Sequence, residues 1–155
     1  GYIRSCQSYE FGFGQSPGQE AHGGSTFCAI ASLALLGRLD ADLPHRARVV
    51  QWLVARHDVG YQGRTNKKED ACYAFWIGSS LRMLGAHAHV DARRVRHFLL
   101  QCETEHGGFG KWPDVLPDLL HAHLALCGLS LADEPDVPPI DAALAVRAGA
   151  VTPVR

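Results

Sequence analysis

At 155 residues, with 46% hydrophobic and 20% charged types, the chain has apolar material for one globular domain and too much for a disordered segment. A formal net charge of -1 excludes a general electrostatic drive toward nucleic acid or anionic membrane, so any basic site must be local. No apolar run approaches the roughly 20 residues that span a bilayer, and no secretory signal pattern opens the chain.

Taken in order, residues 2–6 read as the tail of an outer amphipathic helix that starts before Gly1. Apolar helices are expected at 25–36, 71–84 and about 119–131, hydrophobic around most of their circumference and therefore buried on both sides. Gly37 and Gly85 stop the first two. Amphipathic helices are expected at about 44–56, with Val49, Val50, Trp52 and Leu53 inward, and about 91–102, with Val95, Phe98 and Leu99 inward. Residues 132–139 are acidic and proline-rich and read as an exit loop, followed by a weak helix at 141–147 and a frayed end. The domain expectation is a repeat body at 1–131 and a C-terminal loop and weak helix at 132–155.

One unit recurs three times. Gly12-Phe13, Gly60-Tyr61 and Gly108-Phe109 stand 48 positions apart, and the same step links Phe27 to Phe75, Leu33 to Leu81 to Leu129, and His22 to Asp70 to Asp118. Each unit runs from a Gly-aromatic turn through a polar loop to an apolar helix, then to an amphipathic one. Inner helices ringed by outer helices in such units make an all-α fold, an α/α toroid or an open solenoid, between which periodicity does not choose. The five cysteines, Cys6, Cys28, Cys72, Cys102 and Cys127, are odd in number and lie in apolar, helix-like surroundings. That pattern reads as reduced thiols in an intracellular, cytoplasmic protein.

The polar exceptions to the repeat fall in the loops leading into the inner helices: His22; then Arg64, Lys67, Asp70 and Cys72; then Lys111, Asp118 and His121. Side-by-side packing brings them to one end of the barrel, where helix N-termini favour an anion such as phosphate. Asp70, Cys72 and His121 supply a carboxylate, a thiolate and an imidazole, which suit Zn²⁺ and leave a fourth position open. The same residues also read as a helix cap, a buried thiol and a core histidine. Lys68 extends the basic loop; Tyr73 and Trp76 read as core aromatics or ligand walls.

Three stretches carry a resemblance: Glu20 to Cys28 (Glu-Ala-His-Gly-Gly-Ser-Thr-Phe-Cys), Gly63 to Lys67 followed by Asp70 to Trp76 (Asp-Ala-Cys-Tyr-Ala-Phe-Trp), and Pro117 to His121 (Pro-Asp-Leu-Leu-His). Together they resemble successive signatures of protein prenyltransferase β subunits, from about Tyr2 to Leu131. The resemblance implies an α/α barrel, here a partial one of about three helix pairs, with zinc on Asp70, Cys72 and His121. It further implies that His22, Arg64, Lys67 and Tyr73 contact an isoprenoid diphosphate and that Trp76 helps wall the isoprenoid channel. Within the family the segment Gly107 to Asp114, with Leu120 just before His121 and Phe75 before Trp76, is most similar to the type I geranylgeranyltransferases.

That likeness implies a heterodimer with an α subunit, geranylgeranyl diphosphate as donor, and C-terminal C-a-a-X proteins, such as small GTPases, as acceptors. Lys111 stands where the farnesyl enzymes carry a magnesium-binding aspartate, which implies little or no Mg²⁺ dependence and makes Lys111 and Tyr73 expected catalytic groups beside the zinc ligands. Glu69, where an apolar residue is common, and His123, where an aromatic is usual, depart from the pattern without removing a ligand. The rival expectation is a noncatalytic, truncated module that binds zinc or an α subunit; a terpene-cyclase-like barrel lacks the Asp-rich motif it would need.

Overall fold

In the computed structural model, which describes residues 1–150, the helices are α1 (Tyr2–Ser5), α2 (Gly23–Leu35), α3 (Leu39–Asp42), α4 (Arg46–Val54), α5 (Tyr73–Met83), α6 (Ala92–Gln101) and α7 (Leu119–Leu131), with a 3-10 turn at His87–His89. Helix α5 packs between α2 and α7, and the outer helices α4 and α6 lean on α5 and α7, the inner helices of the following units. This is the α/α toroid arrangement, present as an arc of three units.

The repeat is visible as recurring hydrogen bonds. The amides of His22, Asp70 and Asp118 donate to the carbonyls of Phe13, Tyr61 and Phe109 at 3.0, 3.2 and 3.4 Å. All three aromatics are buried, so each turn pins the start of an inner helix to the core. The side chains of His22, Asp70 and Asp118 then accept from the first free amides of those helices: Gly24 and Ser25, Cys72, and His121. They are caps that satisfy donors a helix start leaves unpaired.

The helix ends repeat too. Gly37 (φ 66°) and Gly85 (φ 68°) are left-handed, and Arg38 and Ala86 donate back to Leu33 and Leu81, each at 2.8 Å. The third position of this series is Asp133, not glycine, yet it adopts φ 58° and is followed by the same bond from Glu134 to Leu129.

Neighbouring units are stitched by backbone as well as by side chains. The Gly23 amide donates to the Gly63 carbonyl at 2.8 Å, and the Ala71 amide donates to the Lys111 carbonyl at 2.9 Å. The first amide of an inner helix is thus satisfied by the loop of the next unit.

The structure differs from the sequence expectation in two places. Helix α3 and the 3-10 turn occupy the short connections between apolar and amphipathic helices, where no element is expected from the sequence. The helix expected at 141–147 is instead an antiparallel pair, β1 (Ile140–Asp141) with β2 (Val146–Arg147). The cause is Asp141: its carboxylate accepts from the amides of Ala143 and Leu144 at 2.8 and 3.1 Å, forming a single turn that Ala145 ends at φ 56°. Ile140, Ala143 and Ala145 pack against the apolar cluster of Phe27, Phe75 and Leu131, so the tail closes onto the helices. Of the frayed end expected after 147, residues 151–155 lie outside the described residues.

Candidate functional site

The cap positions deliver chemistry as well as structure. Asp70 is buried because its segment is held by the Tyr61 carbonyl, and its Oδ1 accepts from Cys72 N–H. Cys72 follows at the N-cap of α5, and the Ala71–Lys111 link draws the next unit alongside. His121, in the first turn of α7, lies with its Nε2 3.2 Å from Asp70 Oδ1. One ligand atom from each of Asp70, Cys72 and His121 lies within 4.8 Å of the others, and no other such group of His, Cys, Asp or Glu occurs among the described residues.

A tetrahedral zinc needs its ligand atoms roughly 3.2–3.7 Å apart, given bonds of about 2.0–2.3 Å, so the widest pair has to close by about 1 Å. Carboxylate, thiolate and imidazole are zinc donors rather than calcium or magnesium donors. The residues therefore fit the ion. A second carboxylate supports them: Asp118 Oδ2 sits 2.6 Å from His121 Nδ1. Hydrogen bonds from the His121 amide and ring hold the Asp118 carboxyl below the usual range. With the ring proton directed to Asp118, the Nε2 lone pair faces Asp70 and Cys72. Burial, and then the neighbouring Asp70 charge, push the Cys72 thiol well up.

Beside this cluster lies a cavity of about 280 Å³ lined by Arg64, Lys67, Lys68, Lys111, Tyr73 and Asp70, together with Gly63 and Trp112. Lys111 Nζ is 3.5 Å from Asp70 Oδ2 and 4.8 Å from the Trp112 ring centroid, so it joins the two sites. Arg64 pairs with Glu20 at 3.0 Å, half-exposed.

His22 reaches the cavity through Tyr73. Its Nδ1 accepts backbone amides, so the neutral ring carries its proton on Nε2, which donates to the Tyr73 oxygen at 2.8 Å. Burial, and then the Arg64 charge, hold His22 below its ordinary pKa, favouring that neutral form. The Tyr73 hydroxyl hydrogen is left free to donate to a ligand. Burial and the neighbouring Cys72 and Asp70 push the Tyr73 pKa up to about 12, so it remains a donor.

Of the residues singled out from sequence, Arg64, Lys67, Asp70, Tyr73 and Lys111 share one cavity, and Cys72 and His121 adjoin it. Trp76 stands apart: it packs with Phe27 and Phe75 and lines a second cavity of about 500 Å³ along α2, which His22 also borders. Asp118 as the orienting partner of His121 was not assigned from sequence, although its place three residues before a histidine at a helix start is a readable signal. Trp112 beneath Lys111 carried none.

A helical toroid with this donor set at one end belongs to a defined class: a model of the prenyltransferase alpha-alpha toroid domain matches residues 1–146, and the chain is a member of that family. Within the family it is similar to the geranylgeranyl transferase type-1 subunit beta of Dictyostelium discoideum, at 50% identity over 137 residues, covering 88% of this chain and 39% of that one. Similarity to the Arabidopsis thaliana subunit of the same name is 44% over 150 residues, covering 90% and 40%. The solved structure of Candida albicans protein geranylgeranyltransferase-I complexed with GGPP superposes with a TM-score of 0.86 at 30% identity, covering 94% of this chain and 46% of that one. The chain spans about two fifths of the length of these curated relatives. No helix among the described residues is long and apolar enough to cross a membrane.

Proposed function

We propose that the chain forms the zinc-bearing part of a type I prenyltransferase β subunit. In this reading it works with an α subunit and transfers a geranylgeranyl group from geranylgeranyl diphosphate to the cysteine of a C-terminal C-a-a-X sequence, X often leucine. One observation carries the reading: a carboxylate, a thiol and an imidazole converge within 4.8 Å on the rim of a cavity lined by Arg64, Lys67, Lys111 and Tyr73.

Asp70, Cys72 and His121 hold the zinc, and Asp118 keeps the His121 ring oriented toward it. When bound, the ion supplies stabilisation of an acceptor cysteine as its thiolate. Arg64 and Lys67 bind and orient the diphosphate, and Lys111 neutralises charge that grows as it leaves, the task that removes the need for Mg²⁺. Tyr73 donates its free hydroxyl hydrogen to a phosphate oxygen while His22 Nε2–H fixes the other side of that oxygen. Trp76 walls the isoprenoid channel. The five free cysteines accord with a cytoplasmic setting.

Metal analysis of the purified chain tests the first step. One zinc per chain is expected, lost in Cys72→Ala with helical content retained; full occupancy in that variant overturns the assignment. Adding an α subunit, geranylgeranyl diphosphate and a C-a-a-X peptide in single turnover tests the second. The other reading is a noncatalytic module, and α-subunit binding without thioether formation would select it.

A further inference from the structure

In the basic loop 63–68, Thr65 takes no part in the proposed chemistry. Thr65 lies between Arg64 and Lys67, yet its hydroxyl faces away from the cavity and into a chain of polar groups. Arg56, 9% exposed, donates from Nη1 to Thr65 Oγ1 at 2.6 Å; Thr65 donates to Glu10 Oε2 at 2.9 Å; and Trp52 Nε1–H donates to the same oxygen at 3.2 Å. The Arg56 guanidinium carbon also lies 5.2 Å from the Trp52 ring centroid. Burial alone would raise the Glu10 carboxyl, but the bonds from Thr65, Trp52 and Tyr9 and the charge of Arg56 outweigh it and hold it ionised.

The loop's other restraints are the Gly23–Gly63 backbone bond, the half-exposed Arg64–Glu20 pair, and its own neck and tip. Its neck is closed by the Gln62–Glu69 bridge, and its tip turns through Asn66 at φ 59° with Lys67 N–H bonded to the Arg64 carbonyl at 3.3 Å. Between neck and tip, Arg64 reaches only the half-exposed Glu20, whereas the Thr65 hydroxyl bonds to the buried Arg56, two residues past the end of α4. Glu10, Arg56 and Trp52 are therefore arranged to grip it from the preceding unit.

We propose that Glu10, Thr65, Arg56 and Trp52 form a strut whose role is to position the basic loop, so that Arg64 and Lys67 present their charges together. These are positioning residues, not catalytic ones. The consequence for ligand binding rests on the diphosphate reading above; the consequence for loop order does not.

Arg64, Lys67 and Lys68 are trypsin sites, so loop order can be read directly in the full chain. Thr65→Val keeps the shape and removes the hydroxyl, losing both the bond from Arg56 and the bond to Glu10; it should raise cleavage at these sites about fivefold to thirtyfold. Affinity for inorganic diphosphate, measured by calorimetry, should fall by a similar factor, while Thr65→Ser restores both. Glu10→Ala, in a different segment, should reproduce the cleavage pattern. Unchanged cleavage in Thr65→Val and Glu10→Ala overturns the strut, as does a Thr65→Ser variant as labile as Thr65→Val. Absence of diphosphate binding in the unaltered chain refutes the diphosphate reading instead, and the cleavage comparison still decides the strut.

Discussion

Gly63 lies under the ring of Tyr73 so closely that a side chain there has no room. A Cβ built on Gly63 meets Tyr73 Cζ at 2.0 Å and its Cε2 and Oη at 2.3 Å. An ordinary carbon contact needs about 3.5 Å, so in Gly63→Ala the ring must shift by more than about 1 Å. That displacement breaks the 2.8 Å His22–Tyr73 bond and strains the 2.8 Å Gly23–Gly63 link. Overpacking of about 1–3 kcal/mol and one lost hydrogen bond of about 1 kcal/mol give roughly 2–4 kcal/mol. At about 2–4 °C per kcal/mol for a chain of this size, the melting temperature should fall by roughly 5–15 °C. Circular dichroism melts of Gly63→Ala, Tyr73→Ala and the double variant form a cycle in which the alanine methyl costs little once the ring is gone. Equal penalties in the two backgrounds would refute the reasoning.

Asp118→Asn keeps the cap acceptor but loses the carboxylate on His121 Nδ1, and zinc affinity should drop about 10- to 100-fold; competition with a chromogenic chelator measures this, and an unchanged affinity removes Asp118 from the site. His57 Nδ1 lies 3.2 Å from the Gly60 carbonyl, and its Nε2 accepts the Asp91 amide at 3.2 Å. Burial lowers its pKa below the ordinary 6.5. The unfolded chain therefore takes up the proton first, so this contribution to stability is complete above about pH 6.5 and is lost as pH falls through the depressed folded value. Melting temperature should fall more steeply on acidification for the unaltered chain than for His57→Gln, and parallel slopes would count against the assignment. Asp133→Gly relieves a left-handed backbone at φ 58° and should stabilise by up to about 1 kcal/mol, visible as a raised midpoint in urea; a lowered midpoint would mean that the exposed Asp133–Arg82 pair, at 3.8 Å, matters more.

The 48-residue step made much of this legible, because glycine–aromatic turns, caps and helix stops are chemical necessities that recur. Phe13, Tyr61 and Phe109 could be aligned by eye, and their buried, hydrogen-bonded roles followed. The convergence of Asp70, Cys72 and His121 was legible for the same reason: a residue pair at one helix start and a histidine one step later must meet if neighbouring units pack in register. What escaped were features that residue identity does not announce. Asp133 hides a helix stop because aspartate tolerates the left-handed region less visibly than glycine announces it. Asp141 diverts an apparently helical segment through side-chain bonds that no hydrophobic pattern reports. The grip of Glu10 on Thr65 joins residues 55 apart in sequence and leaves no trace in spacing.

The backbone link from Gly23 to Gly63 constrains how such a chain could be cut and recombined. The segment around Gly63 carries cations for its own unit and also holds the first amide of a helix 40 residues earlier. Exchanging it for a homologous piece of another length would loosen the start of α2 even where every new residue suited the cavity. A junction within the Gly37–Leu39 or Gly85–His87 connections parts Gly23 from Gly63 or Ala71 from Lys111, so a chimera made there keeps the link only where the incoming loop matches the original in length.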